Sequence, residues 1–215
     1  MVGIFINNMK YIITESQYKK LMEQEEPEVI HIPSVDYFDG WEGLQTYLAR
    51  RGNPPYSIGG DVILDFGENI SLGNLISVEG DLRLSNSQIE SLGTLQTVRG
   101  NLDLENSKLK SLGDLTSVGG VLDLYGTNIK SLGNLKTVGD YLDLRETKIK
   151  SLGNLTSVGG DLILRELPIK SFGKLKYVGG DLNLFGTPLE KYSTQEIRKM
   201  VDVKGAISTR LKNFR

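Results

Sequence analysis

From Asp61 to Gly180 the apolar residues recur with a period of twenty. In one period they are Leu82, Leu84, Ile89, Leu92, Leu95 and Val98; in the next they are Leu102, Leu104, Leu109, Leu112, Leu115 and Val118. A fixed period of this length marks a solenoid, in which a coil buries its apolar side only against its neighbours. The alternation Leu82-x-Leu84 predicts a short strand with two leucines facing in. Twenty residues are too few for a strand, a full helix and two turns. The other apolar positions therefore predict two further short sides, extended or tightly turned. Equivalent strands then pair into a parallel ladder rising about 4.8 Å per coil, and the crossover rule predicts right-handed winding.

Small and polar residues repeat as strictly as the leucines. Gly73 and its equivalents through Gly173 never vary, which points to positive φ or a close backbone approach. Position 80 and its equivalents are Gly except at Asp140, and Asp also tolerates the left-handed region. Ser71 to Ser171 form one hydroxyl column. Ser87, Ser107, Thr127, Thr147 and Thr187 form a second, interrupted by Leu167. Both columns read as hydroxyls that satisfy backbone groups at turns. With no Cys and a single His, the chain has almost no material for a nucleophile–base pair.

The motif Leu-x-x-Val-Gly-Gly-x-Leu-x-Leu-x-x-Thr-x-Ile-x-Ser-Leu-Gly-x-Leu resembles compact members of the leucine-rich-repeat superfamily. The nearest likeness is to the short coils of receptor L domains, and it covers about residues 61–190. The chain departs from the standard pattern by placing Ser or Thr where an Asn ladder belongs, and by one extra residue between Val118 and Leu122. The resemblance implies a recognition scaffold rather than an enzyme. The stretches Met9–Tyr18 and Tyr192–Arg198 also resemble small proteins of tailed bacteriophages, which implies a binder of a host factor.

Residues 1–57 carry no repeat and predict an α/β N-terminal cap; 58–190 form the solenoid, and 191–215 a C-terminal cap of helix and last strand. Lys10–Ile13 reads as a strand, and Thr14 with Gln17 as a capping box for a helix ending before Pro27. Asp39 with Glu42 repeats the capping logic for a helix with Trp41, Leu44, Tyr47 and Leu48 on one face. Trp41 is expected in the core under that cap, and His31 in a loop. Ser193 with Glu196 is a third box, followed by an apolar face of Ile197, Met200 and Val201 and by one last strand at 203–208. Met1 and Met9 are both candidate starts. The whole pattern predicts a mainly β, right-handed parallel solenoid of 20-residue coils with α-helical caps.

Composition narrows the function. The 215 residues carry 25 Lys and Arg against 27 Asp and Glu, a net charge of −2 that makes no case for nucleic-acid binding. Absence of Cys fits a reducing cytoplasm, and Val2–Ile6 is too short for a signal peptide or a membrane span.

Charge is nonetheless concentrated on the outward strand positions, which hold nine acids, from Asp61 to Asp181, against Arg83, Arg145 and Arg165. Asp103, Asp123 and Asp143 stack directly, and unit charges about 5 Å apart repel by roughly 1 kcal/mol even in water. Tyr125, Tyr141, Ile163 and Phe185 stand among them. An aromatic patch with acidic surroundings suits a protein partner with a basic segment. The expected contact residues are Asp103, Asp123, Asp143, Tyr125, Tyr141, Ile163, Arg145, Arg165 and Phe185, with no cofactor and no metal. The alternative from another class is a carbohydrate-binding or carbohydrate-cleaving β-helix. There the stacked Asp ladder would set carboxylates at the roughly 5 Å spacing of retaining glycosidases, although nothing nearby predicts a carboxyl raised by burial. Calcium on the same ladder is a third reading. The opposite-sign column Lys110, Lys130, Lys150 and Lys170 reads as a solvated edge.

Overall fold

The structure, a computed structural model, describes residues 2–6, 9–13, 28–66 and 70–210. It is mainly β: a parallel β-solenoid of about six turns. Each coil gives one short strand to each of two ladders. The first ladder runs Ile30–Ile32, Tyr56–Ile58, Leu75–Val78, Thr97–Val98 and onward to Asp202–Val203. The second runs Val62–Ile63, Leu82–Arg83, Leu102–Asp103 and onward to Ile207–Ser208. Pairing is parallel and in register at a spacing of twenty through the repeats, with Leu122 opposite Leu102 and Leu142, and Val118 opposite Val98 and Val138.

The third side of the coil, around Ser91, carries only an isolated bridge to Ser111. It is held as well by tight turns such as Leu95 N–H to Leu92 O at 3.2 Å and by coil-to-coil bonds such as Lys110 N–H to Glu90 O at 2.8 Å. From the coil of Leu82 onward all six repeating apolar positions are buried, and together they make one continuous core.

The turn chemistry follows largely from local residues. Gly73 and its equivalents have φ of 54° to 59°, the left-handed region where a Cβ is penalised. Each of Ser71 to Ser151 accepts the N–H of the glycine two residues on, at 3.0–3.2 Å. In the second column Ser87, Thr127 and Thr147 donate to the carbonyl three residues back at 2.6–2.8 Å.

Several expectations need correction. The column of Gly80 and Asp140 is not left-handed; at Gly80 and Gly100 space is short, because a Cβ would run into the preceding coil's backbone and the Asp61 or Asp81 carboxylate. A different column is left-handed, at Phe66, Asn86, Asn106, Gly126, Glu146, Glu166 and Gly186, where the chain turns off the second ladder.

Asp39 does not cap the helix Gly40–Ala49: it sits at φ 55° and makes no side-chain capping hydrogen bond. That helix still buries Leu44 and Leu48, with Trp41 and Tyr47 partly buried against the core. His31 lies in a strand, not a loop, with its Nδ1 3.1 Å from Ser57 Oγ. The Ser193–Glu196 capping box is present, at the start of the helix Thr194–Met200. Ile197 and Val201 are buried, but Met200 is exposed.

The last strand is two strands, Asp202–Val203 and Ile207–Ser208, one in each ladder. Both ladders therefore run past 190, and the first begins before residue 58. Met9–Ile13 is a strand paired antiparallel with Val2–Ile6, whereas the helix expected after Thr14 lies outside the described residues. No helix among the described residues is long and apolar enough to cross a membrane.

Candidate functional site: the outward face of the second ladder

The stacked column is real. Register places Asp123 directly between Asp103 and Asp143, with Ile163 and Asn183 continuing the row. What the carboxylates do there is partly local. The Oδ1 atoms of Asp103, Asp123 and Asp143 accept the N–H two residues on, at 2.9–3.0 Å, and Asn183 does the same for Phe185. In the adjoining column Asp61, Asp81, Asn101, Asp161 and Asp181 each accept a backbone N–H from the next coil at 2.7–2.8 Å. Sequence reasoning missed this second role; the recurrence of Asp or Asn just before the inward leucine is its signal.

Asp143 corrects the expected contact set. It is buried at 1% exposure and so does not face a partner. Arg145 grips it through Nε at 3.0 Å and Nη2 at 2.5 Å, and the Tyr141 hydroxyl donates to it at 3.0 Å. Burial, and then this carboxylate, push the Tyr141 phenol up to about 12, while the pair with Asp143 raises Arg145 further above its already high value.

Asp123 is different. Burial raises its carboxyl above the usual range, against the lowering effect of the Tyr125 N–H, and the charges of Asp143, Asp103 and Glu105 add to the rise. This overturns the expectation that no carboxyl here is raised by burial. No cation pairs with Asp103, Glu105 or Asp123 among the described residues.

The third outward column turns the face into two halves. Asp65, Ser85 and Glu105 give way to Tyr125, Arg145, Arg165 and Phe185. The Arg145 guanidinium lies 5.3 Å from the Tyr125 ring centre; Arg165 and Arg210 lie 5.1 and 4.7 Å from that of Phe185. Between Tyr125, Arg145, Lys148 and Arg165 is a depression of about 510 Å³. The asymmetry runs through the whole chain: residues 1–107 hold 16 acids and 7 bases, residues 108–215 hold 11 acids and 18 bases. The face is therefore acidic toward its N-terminal end and arginine–aromatic toward its C-terminal end, not uniformly acidic.

Elsewhere the surface is quieter. The lysine column is exposed, with Lys110 bridged to Glu90 at 2.5 Å. The outward side of the first ladder forms a shallow groove of about 710 Å³ along Ser77, Thr97, Ser117, Thr137 and Ser157, a hydroxyl row that sequence reasoning passed over. No cluster of three or more His, Cys, Asp or Glu able to hold a metal ion occurs among the described residues.

The class the fold defines is thus a parallel β-solenoid with a charged, aromatic strand face. Comparison with protein-family models, with curated proteins and with solved structures finds no match.

Proposed function

We propose that this chain is a non-catalytic protein-binding scaffold that docks a partner's basic segment on the second-ladder face. One observation carries the reading: Asp123 is a half-buried carboxylate beside two like charges and without a cation among the described residues. The turn does not need that charge, because neutral Asn183 accepts the same hydrogen bond at the same place in its coil. An unneeded charge held at a cost is what a basic partner would relieve. Asp103, Glu105 and Asp123 would meet the partner's cations, while Tyr125, Tyr141, Ile163, Arg165 and Phe185 supply the aromatic and apolar contacts beside them. Asp143 acts by holding Arg145 in place.

The same reading takes the solenoid as right-handed and of leucine-rich-repeat type, closed by helices at both ends. Burial of Leu44, Leu48, Ile197 and Val201 supports that closure. The phage-like termini would put the partner among host factors in the host cytoplasm. In the carbohydrate-cleaving reading the buried Asp143 is inaccessible, which leaves Asp103 and Asp123 as the carboxylate pair.

The test is affinity capture from the source's own lysate. We compare the parent chain with Asp103→Asn/Asp123→Asn/Tyr125→Ala, each eluted with salt. A protein held by the parent, released by salt and absent from the variant's eluate is expected. A variant that retains the same protein equally well would overturn the reading, and glycan turnover by the purified chain would replace it.

A further inference from the structure

Among the described residues the two ladders differ in length by one strand, nine against eight, and the difference falls at one end. At the C-terminal end they stop together, at Asp202–Val203 and Ile207–Ser208 on either side of one corner. At the N-terminal end the first ladder gains Ile30–Ile32 beside Tyr56–Ile58, whereas among the described residues Val62–Ile63 pairs only with Leu82–Arg83. After Ile32 the chain turns through the short helix Val35–Phe38 into the helix Gly40–Ala49, and neither supplies a strand. Beside Ile63 at this end lies a cavity of about 520 Å³, lined among others by Ser34, Asp36, Gly40, Trp41 and Ile63.

Backbone direction shows that this cavity has a strand edge for a wall. Val62 and Leu64 donate to Asp81 O and Arg83 O of the next coil, at 2.8 and 2.9 Å. Successive strand residues point their N–H and C=O to opposite sides, so those of Ile63 point into the cavity. They have no hydrogen-bond partner among the described residues.

Side chains agree. Leu64 is only partly buried where its equivalents Leu84, Leu104 and Leu124 are fully buried, as expected where one coil's cover is lacking. Ile63 is 61% exposed. Among the described residues, Asp36 and Asp61 alone bring charge to the lining.

We propose that this gap takes one added β-strand from a partner protein: an extended segment of about four residues in which Lys or Arg alternates with apolar side chains. Main-chain hydrogen bonds to Ile63 would give the affinity, and the apolar wall with its acidic rim would select the sequence. The site lies at the N-terminal edge of the same ladder, two coils before Asp103, and uses main-chain groups of Ile63 rather than the carboxylates of Asp103 and Asp123.

The probe is a labelled Lys-Val-Lys-Val-Lys peptide, with Glu-Val-Glu-Val-Glu as control, followed by fluorescence anisotropy and by amide hydrogen exchange at Ile63. The lysine peptide should bind and slow exchange of the Ile63 amide. Ile63→Pro removes the donor facing the gap while leaving the pairing with Leu82–Arg83. Asp36→Lys reverses the rim charge without touching either ladder. Each should weaken binding by about tenfold or more, roughly 1.4 kcal/mol. Three results would overturn the proposal: equal binding of both peptides, binding indifferent to Ile63→Pro and Asp36→Lys, or an Ile63 amide already protected in the protein alone.

Discussion

Truncating Arg145 to alanine would leave the Asp143 carboxylate without its cation in a site from which water is nearly excluded. Asp143's side chain is 2% exposed. The truncation removes the hydrogen bonds donated by Arg145 Nε and Nη2, while those from the Arg145 backbone N–H and the Tyr141 hydroxyl remain. Orphaning one partner of a fully buried ion pair costs about 3–5 kcal/mol, but fully exposed pairs are worth about 0–1. Arg145's side chain is 42% exposed, so water replaces part of what it supplied. The expected cost lies between those limits, near 2 kcal/mol, or roughly 4–8 °C in Tm for a chain of this length.

Removing the guanidinium from the Tyr125 ring accounts for at most about 1 kcal/mol of that. The informative measurement is a double-mutant cycle by urea unfolding. Asp143→Asn keeps the acceptor that the turn needs, as Asn183 does in its own coil, and removes the charge. In that background Arg145→Ala should cost about 1 kcal/mol or less, leaving a coupling of about 1 kcal/mol or more. A coupling below about 0.5 kcal/mol would refute the claim that Asp143 is a buried charge neutralised by Arg145.

Two further outcomes follow from the same geometry. Asp123 has a carboxyl raised in the folded state, mainly by burial, so the fold favours its protonated form. Its contribution is fully present below the unfolded aspartate range and is lost as pH rises through the raised folded value. Asp123→Asn should therefore be more stable than the parent at pH 7, with the difference vanishing as pH falls below the ordinary aspartate value of 3.8; thermal melts at the two pH values check the sign. Gly139→Ala should cost about 3 kcal/mol or more, because its Cβ would overlap the backbone carbonyl of Gly119, in the bend of the preceding coil just past the strand Ser117–Val118. Gly52→Ala, at φ +78° but in open space, should cost only about 1 kcal/mol. Equal urea midpoints for the two variants would contradict the close approach of successive coils.

Much of this fold was legible because it is local or strictly periodic. Leu82 and Leu84 had to face in, Ser91 had to serve the glycine two residues on, and Ser193 with Glu196 had to start a helix. Each of these depends on neighbours within a few residues. The column Phe66, Asn86, Asn106, Gly126, Glu146, Glu166 and Gly186 was less legible. Its Asn and Gly members hint at positive φ, but Phe66 and the two glutamates hide the rule.

The candidate site divides along the same line. That Asp103, Asp123 and Asp143 stack was set by the twenty-residue period alone, since identical spacing forces identical register. That Asp143 is buried and neutralised while Asp123 is half-buried and unpaired among the described residues was decided in three dimensions, by which side chains the adjoining coils bring alongside. That the second ladder is one strand shorter than the first among the described residues likewise has no sequence signature. It arises because the chain after Ile32 becomes helix at the level where a ninth strand would pair. Periodicity reports what a coil must do to stack on its neighbours, and it falls silent where the stack ends and where charges twenty residues apart first meet.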